Sequence, residues 1–455
     1  MISKRRGAIS TILAAALSVY GYSAAAQERP ANGGGSASNV SDTPPAESRG
    51  MLEGEGVQVG EGLVLHPQTD LATVYQNNVY SQSNDDPTGK VSSPILRIGI
   101  GGELATTDNS QASRLQFRSS ANFTWHQYLG SDKRLDNTND LGIGVLLEAK
   151  INPNQPFSFV LRDGFTRSVR PPRGALADNL DRDRNELLVG ALYKPGGGAL
   201  QGYLNYGMSY DRFETELMSY PDRMANKFTL GGRWQWLPMT QLLLEGQWAI
   251  ATPSKETAFK SSSTPLRVTA GISSLITSTF GTVVRVGYGN GFYKTGANFN
   301  SYLALVEGRF AFGPMVRLSL GYSHDFTDSV VSNFYTDHAF YARSAIKLGQ
   351  SVDARLRGEL RLRSYPYGKL VEFDDGDSHY RFCGDEGCAS SDRSDTILNI
   401  DGGIDYHAAK WLTLGVGYSF HHNDTEFFVL RTSNGNQDSG AFQWHEVMAK
   451  AAARF

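Results

Sequence analysis

Cysteine is nearly absent, with two residues in 455, which rules out a scaffold built on disulfides. Long apolar runs are missing as well. The one such stretch, Ala8 to Tyr20, falls short of the roughly 20 residues a spanning helix needs, and no later segment supplies one. A surplus of positive charge is also lacking. The formal net charge of −3 removes the electrostatic basis of nucleic-acid binding. Catalytic signatures do not occur: there is no Gly-x-Ser-x-Gly elbow, no His-Glu-x-x-His and no phosphate loop. No enzymatic activity and no cofactor are expected.

What is abundant is glycine and the aromatics, 49 Gly, 21 Tyr and 23 Phe, in a chain of negative mean hydropathy with few helix-period patterns. Such a chain is made of strands. It opens with Lys4, Arg5 and Arg6, continues through the apolar run, and reaches Ala24-Ala25-Ala26. This order predicts a signal peptide over residues 1–26, cleaved after Ala26. The Arg5-Arg6 pair lacks the rest of a twin-arginine motif, so the general secretory route is expected. Residues 27–56, with Gly33-Gly34-Gly35 and Pro44-Pro45, read as a disordered periplasmic linker.

From 57 to 455 one unit recurs: 10 to 16 residues of alternating character, then a break of Gly, Asn, Asp, Pro or Ser. The reading gives about eighteen strands, the first near 66–79 and the last near 441–455. Connections alternate between terse ones, such as Pro238-Met239 and Gly313-Pro314, and longer polar ones, such as 169–183 and 366–393. That alternation is the mark of an all-β, transmembrane, antiparallel up-and-down β-barrel with short periplasmic turns and long external loops. Strand length separates it from a soluble sandwich, whose strands average roughly 5 to 6 residues.

Alternation also sorts the faces. Val316, Leu318, Leu320 and Tyr322 oppose Arg317, Ser319, Gly321 and Ser323, and Leu412 to Phe420 repeats the pattern. Aromatics gather near strand ends, as Trp125, Trp234, Trp248 and Trp411 do, which fits interfacial girdles facing outer-membrane lipid and lipopolysaccharide. The polar face carries Arg285 and Arg317 and, on one strand, the ladder Asp353, Arg355, Arg357, Glu359, Arg361, Arg363. Arg355, Arg357, Arg361, Arg363, Arg285, Arg317 and Glu359 are therefore the candidate pore-lining residues. Two readings stay open: an ion-pair network stiffening the wall, and a basic wall concentrating anions.

The longest external loop, about 366–393, holds Cys383-Gly384-Asp385-Glu386-Gly387-Cys388, a spacing that can close a small disulfide ring. A metal site using Asp374, Asp375, Asp377 and His379 is the sharper alternative, but the order of a calcium loop is lacking. His126, His338 and His407 would be the candidates for a barrel hydrolase; the plainer expectation is polar lumen residues.

The chain ends Val447, Ala449, Ala451, Ala453, Phe455, similar to the terminal strand read by the barrel assembly machinery, except that Ala453 is small where that pattern has a larger side chain. Leu63 to Pro67, then Leu71, Tyr75 and Asn77-Asn78-Val79-Tyr80, resemble the start of the β-barrel porin 2 family. The general plan also resembles the myxobacterial-type outer-membrane ports of exopolysaccharide secretion. The resemblance implies a passive export port for exopolysaccharide in the cell outer membrane, fed by a periplasmic polysaccharide-export or copolymerase protein. The alternatives are an uptake porin for small anionic solutes and a closed structural barrel or adhesin.

Overall fold

The computed structural model describes residues 56–60, 62–83, 89–106, 114–135, 140–168, 182–213, 222–256, 260–329, 332–366, 370–374, 379–382, 392–431 and 437–455. The expected signal peptide with its cleavage site and nearly all of the expected linker lie outside these residues.

Alternating sequence becomes eighteen long strands: β1 (Leu63–Gln76), β2 (Ser93–Thr106), β3 (Leu115–Tyr128), β4 (Asp140–Ile151), β5 (Phe157–Ser168), β6 (Arg182–Tyr193), β7 (Leu200–Phe213), β8 (Arg223–Leu237), β9 (Thr240–Pro253), β10 (Leu266–Leu275), β11 (Phe280–Asn290), β12 (Asn300–Phe312), β13 (Val316–Asp328), β14 (Phe334–Leu348), β15 (Val352–Tyr365), β16 (Arg393–Ala409), β17 (Leu412–Thr425) and β18 (Phe442–Arg454). Each pairs antiparallel with its neighbours in sequence, and β1 pairs with β18 from Gln68↔Arg454 to Gln76↔Glu446. The sheet is a closed ring. Its lower seam is tied by Phe455, whose N–H donates to Pro67 O at 3.0 Å and whose carbonyl oxygen lies 2.9 Å from His66 Nδ1.

Strand lengths run from 10 to 17 residues, against the roughly 9 to 11 that a tilted strand needs to cross a bilayer. Among the described residues no helix is long and apolar enough to cross a membrane; the strands do so. Their outward positions form an apolar belt in which Ile100, Leu230, Leu244 and Val286 are 60–67% exposed. Only hydrocarbon gives such a belt a dry neighbour, and the fold is a transmembrane β-barrel.

Two features depart from the expectation. The first strand begins at Leu63 rather than 66, and a short strand, Val57–Gly60, adds to its edge. The 366–393 segment is not simply a loop. Leu370–Asp374 and His379–Phe382 form a hairpin, and Leu370–Asp374 pairs in parallel with Phe428–Arg431, which pairs with Gln437–Ser439. The external connections after β15 and β17 thus share a separate four-stranded sheet, a non-local pairing with no periodic signal.

Placing a charge in the belt tests the orientation. Val416→Arg, on the outward face of β17, is expected to lower the unfolding free energy in bilayers by about 2–4 kcal/mol. Ser419→Arg, on the inward face opposite Asp401, should change it by less than about 1 kcal/mol. Urea unfolding of lipid-reconstituted protein measures both, and equal effects would reverse the face assignment.

Candidate functional site

At the loop-bearing rim, side chains on strands that are not neighbours meet across the mouth of the barrel. Arg223 at the start of β8 pairs with Asp328 at the end of β13, and Arg267 of β10 reaches Asp325 and the Phe326 carbonyl of β13. Those pairs close the rim, and the inward parity of each strand places the chemistry of the lumen below it.

One interior device occurs twice. Tyr203 of β7 stands level with Gly231 of β8 and Glu245 of β9, and its hydroxyl donates to Glu245 at 2.6 Å. Tyr341 of β14 stands level with Gly321 of β13 and Glu307 of β12, donating to Glu307 at 2.5 Å. Each ring lies flat over the intervening glycine, where a Cβ would overlap it. Glycine in these strands is therefore a seat for a polar aromatic clamp across three strands.

All the candidate pore-lining residues fall on the inward face by register, but their surroundings differ. Arg363 is bidentate on Asp337, at 2.8 and 3.0 Å, and lies 3.8 Å over the Tyr335 ring. Arg361 bridges Asp337 and Glu359, and Arg357 pairs with Glu359 at 2.6 Å. The upper ladder is an ion-pair network. Arg355, paired with Asp405 at 2.5 Å, keeps nearly half its surface exposed. Arg317 is exposed and Arg285 half-buried. Arg309, Arg343 and Arg357 stand in one transverse row with Ser319. This row lies toward the turn-bearing end, one step below the Glu307, Tyr341, Glu359 row.

The two ends of the lumen contrast sharply. Near the turns, Arg118, Lys150, Arg309 and Arg355 are 33–47% exposed, each beside a carboxylate (Glu103, Glu148, Glu307 and Asp405), while Arg454 on Glu103 is buried. Within four positions of the loop-bearing strand ends, Arg97 with Glu446, Arg223 with Asp211, Arg363, and Arg393 with Asp395 are all buried. These pairs make a collar.

Three external segments fold inward to complete it. Asp328 accepts from Arg223 and from Lys260 Nζ, the latter at 2.5 Å, and Lys260 also donates to Ser329 O at 2.6 Å. Asn333, fully buried, accepts from Ser261 N at 2.9 Å and donates to Thr295 O and Ala297 O at 2.7 and 3.0 Å. One asparagine thus ties the 254–265, 291–299 and 329–333 connections together. Phe299, Leu303, Phe326 and Phe334 pack beneath them, with Arg267 stacked 4.0 Å over Phe326. Sequence reading missed Lys260, Asp328 and Asn333, since loop residues carry no periodicity and their partners lie far along the chain.

Asn77 and Asn78, part of the resemblance motif, work at the seam. Asn77 Oδ1 accepts from His445 N at 2.7 Å, and buried Asn78 donates to Gln82 O and Gln443 O at 2.7 and 3.0 Å. They fasten the first external loop to β18.

The histidines divide. His407 joins Asp353 and Thr413, each at 3.0 Å, in the order of a catalytic triad. However, Thr413 is 4% exposed, so its hydroxyl has no room to attack a substrate. His126 is buried on the inward face of β3. His338 is not a lumen residue: it lies on the outward face of β14, stacked on His324 with Tyr322 at 2.9 Å. Cys383 and Cys388 lie outside the described residues, as do Asp375 and Asp377 of the alternative metal set.

No family model and no curated protein matches the chain. Among solved structures, the outer membrane protein OpdK from Pseudomonas aeruginosa is 10% identical, covering 86% of this chain and 99% of its own, at a TM-score of 0.46. Acinetobacter baumannii OccAB4 is 10% identical over 86% and 98%, at 0.45. The siderophore receptor PirA from Pseudomonas aeruginosa is 8% identical over 86% and 80%, at 0.42. Likeness of this extent carries no functional inference.

Two outcomes follow from the interior. Gly321→Val should expel the Tyr341 ring and lower stability by about 1–3 kcal/mol, whereas Gly358→Ala, with nothing within 4 Å, should be near neutral; urea midpoints compare them. Burial holds Lys260 down at about 8, against the pull of Asp328 and with the repulsion of Arg223. From about pH 8 up to its ordinary 10.5, a freed Lys260 binds a proton that the packed one does not, so the packed loops gain stability as pH rises. Resistance of the 254–265 connection to protease should therefore increase across that window in wild type and stay flat in Lys260→Met.

Proposed function

We propose that the protein is an outer-membrane diffusion channel for small anionic solutes, with its selective constriction at the external mouth. The observation that carries this reading is a set of partly exposed arginines, among them Arg309, Arg317 and Arg355, below a buried, charge-paired collar over which three connections are tied. Eighteen strands enclose enough width for water. Arg309, Arg317, Arg343 and Arg355 offer an anion repeated weak partners, since conduction requires sites that bind without trapping. The collar then limits passage by size. The inner leaves of Arg361 and Arg363, already neutralised by Asp337 and Glu359, serve the wall's rigidity.

The exopolysaccharide port rests on the resemblance around Leu63 to Tyr80. The packed external end weighs against it, because a polymer sliding out passively needs an unobstructed path. A separate periplasmic delivery protein belongs to that reading and not to a solute channel.

Planar-bilayer recordings test the proposal. Wild type should conduct in small steps and prefer chloride over potassium in a salt gradient. Arg309→Ala with Arg343→Ala and Arg355→Ala should lower the anion preference several-fold. Asp328→Ala with Asn333→Ala should raise unit conductance by releasing the inward loops. Unchanged selectivity in the triple variant, or silence of the wild type, would refute an anion channel.

A further inference from the structure

The lipid-facing side of β5 and β6 contains a polar interruption that a channel does not use. The outward series on β5 is Phe157, Phe159, Leu161, Asp163, Phe165 and Arg167; on β6 it is Tyr193, Ala191, Val189, Leu187, Asn185 and Asp183. Asn185 Nδ2 donates to Asp163 Oδ1 at 3.1 Å and at the longer 3.4 Å to Gly164 O. Register sets the depth. Asp163 stands opposite Leu147 of β4 and Leu187 of β6, and Leu187 stands opposite Met208 of β7. On β4 the outward series from Leu141 to Ile151 has no polar member. A bilayer is level around a barrel, so Asp163 sits at a height where both flanks meet hydrocarbon, and Asn185 stands next toward the loops, opposite Phe165 and Tyr210. Ionisable and amide side chains at that depth are destabilised by lipid and are retained where protein covers them.

Toward the loops the same face continues as an alternating row, with Arg167 opposite Asp183 and Asp183 opposite Arg212. Below the pair, Phe159, Leu161 and Val189 are 40–44% exposed.

We propose that the outer face of β5 and β6 is an interface between two copies of this chain within the membrane. The patch complements itself. A two-fold axis along the membrane normal sets the Asp163 carboxylate of one copy against the Asn185 amide of the other, which gives up its long 3.4 Å contact to Gly164 O for the charged acceptor, and reciprocally, as an isologous contact requires. It likewise sets Asp183 against an arginine of the alternating row. Hydrocarbon offers the Asp163 carboxylate no further donor, and the apolar residues below supply packing.

Cross-linking in native membranes tests this in the full chain, with Cys383 and Cys388 replaced by Ser. Val189→Cys should give a covalent dimer with a short bismaleimide, and Leu356→Cys on the exposed face of β15 should not. Native mass spectrometry in mild detergent should read a dimer, and Asp163→Leu with Asn185→Leu should convert it to a monomer that retains the heat-modifiable gel shift of a folded barrel. A monomer throughout with no Val189→Cys product would overturn the proposal. So would equal cross-linking from both positions, or a monomer carrying lipopolysaccharide that the double variant loses, since lipid would then be the occupant.

Discussion

Backbone amides and carbonyls in hydrocarbon have no water to bind, and every other feature of this protein follows from satisfying them within the sheet. An open sheet leaves two edges unpaired; joining β1 to β18 removes both. Closure then imposes an inside and an outside on strands whose side chains alternate, so each strand must be apolar on one face and polar on the other. The terminal Phe455 and His66 contacts, together with Asn77 and Asn78 at the opposite end, hold the seam at both rims. The seam joins the most distant parts of the chain, so it bears the largest loop-closure entropy.

Within the ring, the polar face has to manage many arginines in limited space. Its solution differs along the axis. Near the loops, carboxylates meet the guanidinium groups at short range, as Asp337 does with Arg363 and Asp395 with Arg393, and aromatic rings cover them. Burial without such partners would be strongly unfavourable. Near the turns, the wall is wetter and several arginines keep open surface. Glycine links the two regimes, because Tyr203 and Tyr341 can lie along the wall only where Gly231 and Gly321 leave space.

The same logic explains which residues had a readable purpose. Strand number, strand positions and inward or outward placement were legible because each is encoded by local alternation. Arg317, Arg355 and Arg363 were placed on the polar face from their neighbours alone. Whether an arginine is free or neutralised was not legible, since Asp337 and Asp405 lie on other strands than Arg363 and Arg355, and only register brings them alongside. His338 shows the limit from the other side: its parity puts it outward, but a histidine looks equally at home in a lumen until its strand is phased against Tyr322 and Phe340.

By itself, then, the sequence determined that the chain is a membrane-crossing ring of strands, because period-two hydrophobicity is a property of consecutive residues. Tertiary structure alone decided how the mouth is closed. Lys260, Arg223 and the Asp328–Asn333 pair come from three separate segments, and the sheet shared by the connections after β15 and β17 pairs residues 58 apart in sequence. Such contacts are set by where the closed ring brings loop ends together, and no local pattern records that distance.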